Sequence, residues 1–235
     1  MRELRSQIAG DGDKMTTPET STSAMPASTT TIILVRHGQT AWNLEDRFRG
    51  RANIPLDETG LAQAEVVADY ILAHWSPKAV YCSPLLRARQ TAEKIAEPLH
   101  LHERVHPGLL DIDYGAWEGF TPEDLRDQGW GEALEAWYTH PQDAPVPGGE
   151  MLQAVRLRAM GALGEIVERH REDTVIVVAH TVVNRLILLG ILGLGNERFW
   201  HLGQDTCAIN VIEFDGEFYK LLKMNDNGYL ADVAP

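Results

Sequence analysis

Three features of the sequence predict an α/β domain: a single three-layer unit with a mostly parallel central sheet, helices on both faces and a C-terminal hairpin. Two uninterrupted apolar runs, Ile32-Ile33-Leu34-Val35 and Val175-Ile176-Val177-Val178-Ala179, read as strands buried on both faces. The segments around them carry apolar residues at helical spacing. Near the C-terminus, Asp215-Gly216 is a two-residue hairpin signal between two strand-like runs. The domain is expected over 31–235, after a tail over 1–30 whose Thr/Ser/Pro-rich composition predicts disorder.

Each element follows from local chemistry. After the first strand, 40–55 reads as a polar loop with Arg47, Arg49 and Arg51 at every second position, a candidate electropositive lip. A helix over 60–75 places Leu61, Ala64, Ala68, Ile71 and Leu72 on one face, with Asp57 or Thr59 as its cap. A short strand over 78–82 leads to Ser83-Pro84, which reads as a helix start with Ser at the cap and Arg87 in the first turn. A strand over 103–107 precedes a structured loop over 111–119. A broken, acidic helical insert follows over 121–138, then a Pro/Gly-rich connection over 141–149 and a long helix over 150–170. The second apolar strand is followed by a helix over 181–192, and strands over 207–214 and 217–224 flank Asp215-Gly216.

Composition narrows the function. The formal charge of −13 argues against nucleic acid or an anionic membrane as partner, since both need a basic surface. No run reaches transmembrane length, and the tail lacks the apolar core of a secretory signal. Two cysteines, Cys82 and Cys207, are too few for a disulfide framework and lack metal spacing, which points to a cytoplasmic setting. His100-x-His102 and Asp111-x-Asp113 have ligand-like spacing but no clear third ligand, so no metal is expected. Glycine-rich nucleotide loops are absent from the sequence, and no cofactor is expected. A homodimer is one assembly the sequence leaves open.

The chemistry gathers where the two apolar strands end. The first runs into Arg36-His37-Gly38 and the second into His180, and ligands of such sheets bind at the carboxyl ends of the strands. Two imidazoles and an arginine are therefore expected in one pocket. Arg87, near a helix N-terminus, is suited to meet an anion there.

These residues carry a resemblance. Arg36-His37-Gly38-Gln39-Thr40-Ala41-Trp42-Asn43 resembles the R-H-G signature of the histidine phosphatase (phosphoglycerate mutase-like) superfamily. Arg47–Gly50, Ile54-Pro55-Leu56, the run from Tyr81 to Ala92, Tyr114–Gly119, Pro147–Glu150 and Val177–His180 follow in the family's order. The resemblance spans roughly 31–226. It implies hydrolysis of a small-molecule phosphate monoester through a phosphohistidine at His37, with Arg36, Arg87 and His180 as the phosphate pocket. It places Thr40 and Asn43 among the pocket's polar residues, and Arg49 and Thr181 beside the substrate.

Two positions depart from the pattern. Asp111 stands where the family's acid is usually Glu, with Asp113 and Glu118 as alternative proton donors; Thr181 stands where Gly is usual. The mutase alternative is disfavoured because Asp111-Ile112-Asp113-Tyr114-Gly115 lacks the Arg of E-R-x-Y-G, and because the insert is acidic where mutases are basic. A non-catalytic relative that only binds phosphorylated ligands would have no need of the nucleophile.

Overall fold

The computed structural model describes residues 29–233. The strand β1 begins at Thr30, so the expected domain boundary falls one residue late; residues 1–28 of the expected tail lie outside the described residues. The elements run β1 (Thr30–Arg36), α1 (Ala41–Leu44), α2 (Glu58–His74), β2 (Ala79–Cys82), α3 (Leu86–Ala96) and β3 (Glu103–Val105). They continue with α4 (Pro122–Asp127), α5 (Gly131–Thr139), α6 (Leu152–Arg169), β4 (Thr174–Ala179), α7 (Thr181–Ile191), β5 (Ile209–Phe214) and β6 (Tyr219–Asp226).

One six-stranded sheet has the order β3-β2-β4-β1-β5-β6. The four strands from β3 to β1 are parallel, and β5 and β6 add antiparallel. The apolar runs behave as two-sided strands. Ile32 and Leu34 of β1, with Val175 and Val177 of β4, enter the core under α6 and α7. Ile33, Val35, Ile176 and Val178 enter the core under α2 and α3. Full burial of such a side chain contributes about 1.5–3 kcal/mol, so the centre of the sheet carries a large share of the hydrophobic stabilisation.

The register of this pair brings the site together. Arg36 is level with Ala179, so His37 and His180 leave adjacent strands at the same end, and the His37 N–H donates to the Ala179 carbonyl (3.0 Å).

Local differences from the sequence reading have simple causes. Asp57 caps α2, its Oδ1 accepting from Gly60 N–H (2.7 Å). Ser83-Pro84 does not start α3; the helix begins at Leu86, with Leu85 in extended geometry at the cap. The polar loop after β1 contains the single turn α1, where Asn43 Oδ1 accepts from Thr40 N–H (3.0 Å). The last hairpin turns at Gly216 (φ +100°) and Glu217, with Phe214 opposite Tyr219 and the Asp215 side chain accepting from the N–H groups of Glu217 and Phe218. The second strand of the hairpin therefore starts at Tyr219, not at 217.

Candidate active site

Gly38 is required where the chain leaves β1. A Cβ there would lie 2.5 Å from the Gly60 carbonyl oxygen, and one on Gly60 would lie 2.0 Å from that of Gln39. Two glycines in contact let α2 seat its first turn against the loop that carries His37. The ring of His37 is almost wholly buried, and its Nδ1–H donates to the Gly38 carbonyl (2.7 Å). A carbonyl can only accept, so the proton sits on Nδ1 and Nε2 keeps its lone pair. Arg87 Nε donates to that lone pair (3.3 Å). Burial, then Arg87, Arg36 and Arg49, holds the His37 pKa well below the ordinary value, and the imidazole is neutral.

Around it stand the other expected residues. The His180 ring is 5.1 Å from that of His37, centroid to centroid. It is fully buried, and neither of its ring nitrogens has a hydrogen-bond partner among the described residues. Burial and Arg87 keep it neutral as well.

Arg87, also fully buried, is held by the carbonyls of Ala52 and Gly50 (both 2.8 Å) and by Asp111 Oδ2 (3.0 Å). Arg36 donates from Nη1 to the Gln204 carbonyl (2.5 Å), while its buried Nε has no partner among the described residues. Burial, then Arg49 and Arg185, lowers the Arg36 pKa to about 9, which still leaves it charged at neutral pH. The buried Thr181 hydroxyl is also unpartnered. A buried donor left unmade costs about 1–3 kcal/mol, so these orphan groups around one point mark a place for an oxygen-rich anion.

Asp111 meets this cluster from the loop between β3 and α4. Its Oδ2 contacts Arg87 and lies 3.6 Å from His180 Nδ1. Burial raises its pKa, against the lowering by Arg87 and Arg49. Arg158 of α6 fixes the segment by donating to the carbonyls of Gly108 (3.1 Å), Leu110 and Asp111 (2.9 Å).

The other two acids are engaged elsewhere. Asp113 pairs with Arg51 (3.1 Å) and accepts from Gly115 N–H, and Glu118 accepts from Arg51 N–H (2.7 Å). The expected lip is therefore only part-formed: Arg47 and Arg49 line the cavity, while Arg51 turns away to Asp113 and Glu150. Thr40 is fully buried, and its hydroxyl is spent on Asn43 Oδ1 (2.8 Å), so it positions Asn43 at the cavity.

Above the cluster lies a cavity of about 350 Å³. Arg36, Asn43, Arg49, Asp111 and Thr181 line it, together with groups that sequence reasoning missed: Tyr114, Arg185, Gln204 and the aromatic walls Trp137, Tyr138, Phe199 and Trp200. Arg185 was legible in principle, since it lies four residues after Thr181 on the same face of α7. The walls were not, because α5 and the 199–200 segment meet only in the folded chain. Among the described residues, no group of three His, Cys, Asp or Glu side chains could hold a metal ion.

Fold and cavity together define an α/β enzyme of phosphate esters. Comparison with known proteins agrees. The sequence profile of the histidine phosphatase superfamily (branch 1) matches residues 32–227. Phosphoserine phosphatase 1 of Hydrogenobacter thermophilus is 33% identical over 201 residues, 86% of this chain and 94% of that protein. A metal-independent phosphoserine phosphatase of Arabidopsis thaliana is 37% identical over 164 residues, 69% of this chain and 68% of that one. The solved structure of Bacillus stearothermophilus YhfR superposes with a TM-score of 0.82 at 29% identity, over 86% of this chain and 99% of that one. The chain belongs to the histidine phosphatase superfamily, branch 1, and is a phosphatase.

Proposed function

We propose that the protein hydrolyses the monoester of a small phosphorylated metabolite in two steps through a phosphohistidine on His37. The observation that carries this reading is the tautomer of His37. With Nδ1–H tied to the Gly38 carbonyl, the Nε2 lone pair faces Arg87 inside an anion site. In the first step Nε2 attacks phosphorus, the N–P bond forms, and the P–O bond to the alcohol breaks. The proton on Asp111 goes to the departing oxygen. In the second step water attacks the phosphohistidine, Asp111 takes up the water's proton, and phosphate leaves with His37 restored.

Arg36 and Arg87 neutralise the phosphoryl oxygens with planar, permanently charged donors. His180 Nε2 and the Thr181 hydroxyl supply further hydrogen bonds. A phosphoryl oxygen takes over the Arg87 Nε donor, which frees the nucleophile. A phosphate dianion beside Asp111 raises its pKa further, in the same direction as burial does.

The small size of the cavity and the named activities of relatives, among them phosphoserine phosphatase, support a small metabolite as substrate. Metal-independent turnover is supported by arginines doing the work of a cation, and by the name of the Arabidopsis relative. A cytoplasmic location fits two free, buried thiols with no disulfide between them. Water is favoured over a second sugar acid as acceptor, because the insert contributes Pro122, Trp137 and Tyr138 to the cavity and no basic side chain.

The test is trapping with a radiolabelled phosphate ester. Acid-labile, base-stable label should appear on the wild-type protein and be absent from His37→Ala; label that persists in the variant would falsify the assignment.

A further inference from the structure

We propose that Arg185 is a second anion subsite, built to take a carboxylate on the alcohol side of the phosphate ester. The proposal rests on the phosphatase reading of the same cavity, which places the ester's phosphate at Arg36, Arg87 and the two histidines. Arg185 lines that cavity from the second turn of α7.

Its side chain is preorganised. Nε donates to the Leu202 carbonyl (2.7 Å), and the guanidinium carbon lies 5.0 Å from the Phe199 ring centroid and 4.9 Å from that of Trp200. Trp200 is in turn fixed by its indole N–H donating to the Trp137 carbonyl (2.8 Å). With one nitrogen anchored and its plane held against two rings, the group keeps its Nη1 and Nη2 donors for the cavity. That edge matches the two oxygens of a carboxylate.

Among the described residues no carboxylate fills this role, and Arg185 forms no ion pair. The acid whose charge acts on Arg185 is Asp205, which accepts from the side chains of Asn225 and Asn227 and does not pair with it; of the acids lining the cavity, Asp111 is paired with Arg87, and Asp46 forms no ion pair among the described residues. Arg49 acts on His37, His180, Arg87 and Asp111 at the floor and on Arg36 and Tyr114 as well, whereas Arg185 acts on Arg36 and Tyr114 and on none of the floor groups His37, His180, Arg87 and Asp111. A phosphate dianion answers the floor. The half-buried Arg185 on the same cavity calls for a further negative charge on the alcohol side of the ester. In a chain of net charge −13, a guanidinium held this firmly and without an ion pair among the described residues is a specific device and not part of a general basic surface.

The test uses two non-hydrolysable ligands of matched length, 3-phosphonopropionate and propylphosphonate, titrated calorimetrically into the full chain. Wild type should bind the carboxylated ligand about 10- to 100-fold more tightly, the range for a charge-assisted pair. Arg185→Leu should bring the two affinities within about threefold, and Arg185→Lys, which keeps the charge but not the fork, should fall between. Equal affinities in wild type overturn the proposal, as does a preference that survives in Arg185→Leu. Arg185→Lys, which keeps an aliphatic stem and the charge, serves if Arg185→Leu fails to fold: an undiminished preference in Arg185→Lys overturns the proposal as well. Phosphohistidine labelling is read in parallel: label without a carboxylate preference removes the subsite and leaves the phosphatase reading, whereas no label and no binding of either ligand removes both.

Discussion

At Asp111 two influences oppose each other. Burial favours the protonated carboxyl, and Arg87 at 3.0 Å favours the carboxylate; burial prevails and the pKa rises. A carboxyl that keeps its proton longer than an exposed one is what the leaving oxygen needs. Asp111→Asn keeps the shape and removes the proton. It should slow alkyl phosphates by about 10²–10⁴, the usual span of general acid catalysis, and slow p-nitrophenyl phosphate far less, because nitrophenolate leaves without help. Comparison of kcat for both substrates in Asp111→Asn, Asp113→Asn and Glu118→Gln checks this. If the leaving-group dependence follows Asp113 or Glu118, the donor is misassigned.

At the scale of elements, the site depends on parts that never touch substrate. The side chain of Arg158 crosses from α6 to three carbonyls of the 108–111 segment, those of Gly108, Leu110 and Asp111, and also pairs with Glu150 (2.9 Å). It therefore sets where Asp111 stands. Arg158→Met keeps much of the apolar stem and removes the donors. It should lower kcat for alkyl phosphates more than for p-nitrophenyl phosphate, reproducing in weaker form the signature of Asp111→Asn. An equal loss on both substrates would assign Arg158 to stability alone. The contact between Gly38 and Gly60 is tighter still. Gly38→Ala puts a Cβ against backbone and should cost about 1–3 kcal/mol of stability, measured by urea unfolding.

For the whole molecule, two imidazoles buried in the neutral state link stability to pH. Both His37 and His180 have folded pKa values well below 6.5, so the unfolded chain binds protons near pH 6.5 that the folded chain refuses. Stability should be at its full value above about pH 6.5 and decline as pH falls through 6.5, by up to ~1.4 kcal/mol per pH unit for each histidine. Urea unfolding between pH 7.5 and 5.5 should show this slope, and His37→Gln and His180→Gln should each flatten it. An unchanged slope in both variants would mean that other groups carry the pH dependence.

Much of this was readable along the chain, because strands buried on both faces leave an apolar signature and because residues at strand ends inherit their position from it. β1 and β4 were legible for that reason, and with them Arg36, His37 and His180. The capping chemistry of Asp57 was legible for a similarly local reason. Errors fell where neighbours in space override neighbours in sequence. Ser83-Pro84 has the composition of a helix start, yet the helix waits until Leu86. Arg47, Arg49 and Arg51 look alike in sequence, but only the folded loop sends Arg51 to Asp113 and Glu150 and leaves Arg49 at the cavity.

By itself the sequence determined the layered α/β architecture, the pairing of two histidines at one end of the sheet, and the phosphate chemistry that such a pair with arginines allows. The first two follow from periodicity and from side chains fixed to strand ends; the phosphate chemistry is what the resemblance of the motifs to the family implies. Only the tertiary structure decided which acid meets Arg87 and His180, which arginines line the cavity, and which aromatic rings wall it. Those outcomes depend on contacts between distant segments, such as Arg158 on the 108–111 carbonyls and Trp200 on Trp137, and nothing local in the chain encodes a distance between them.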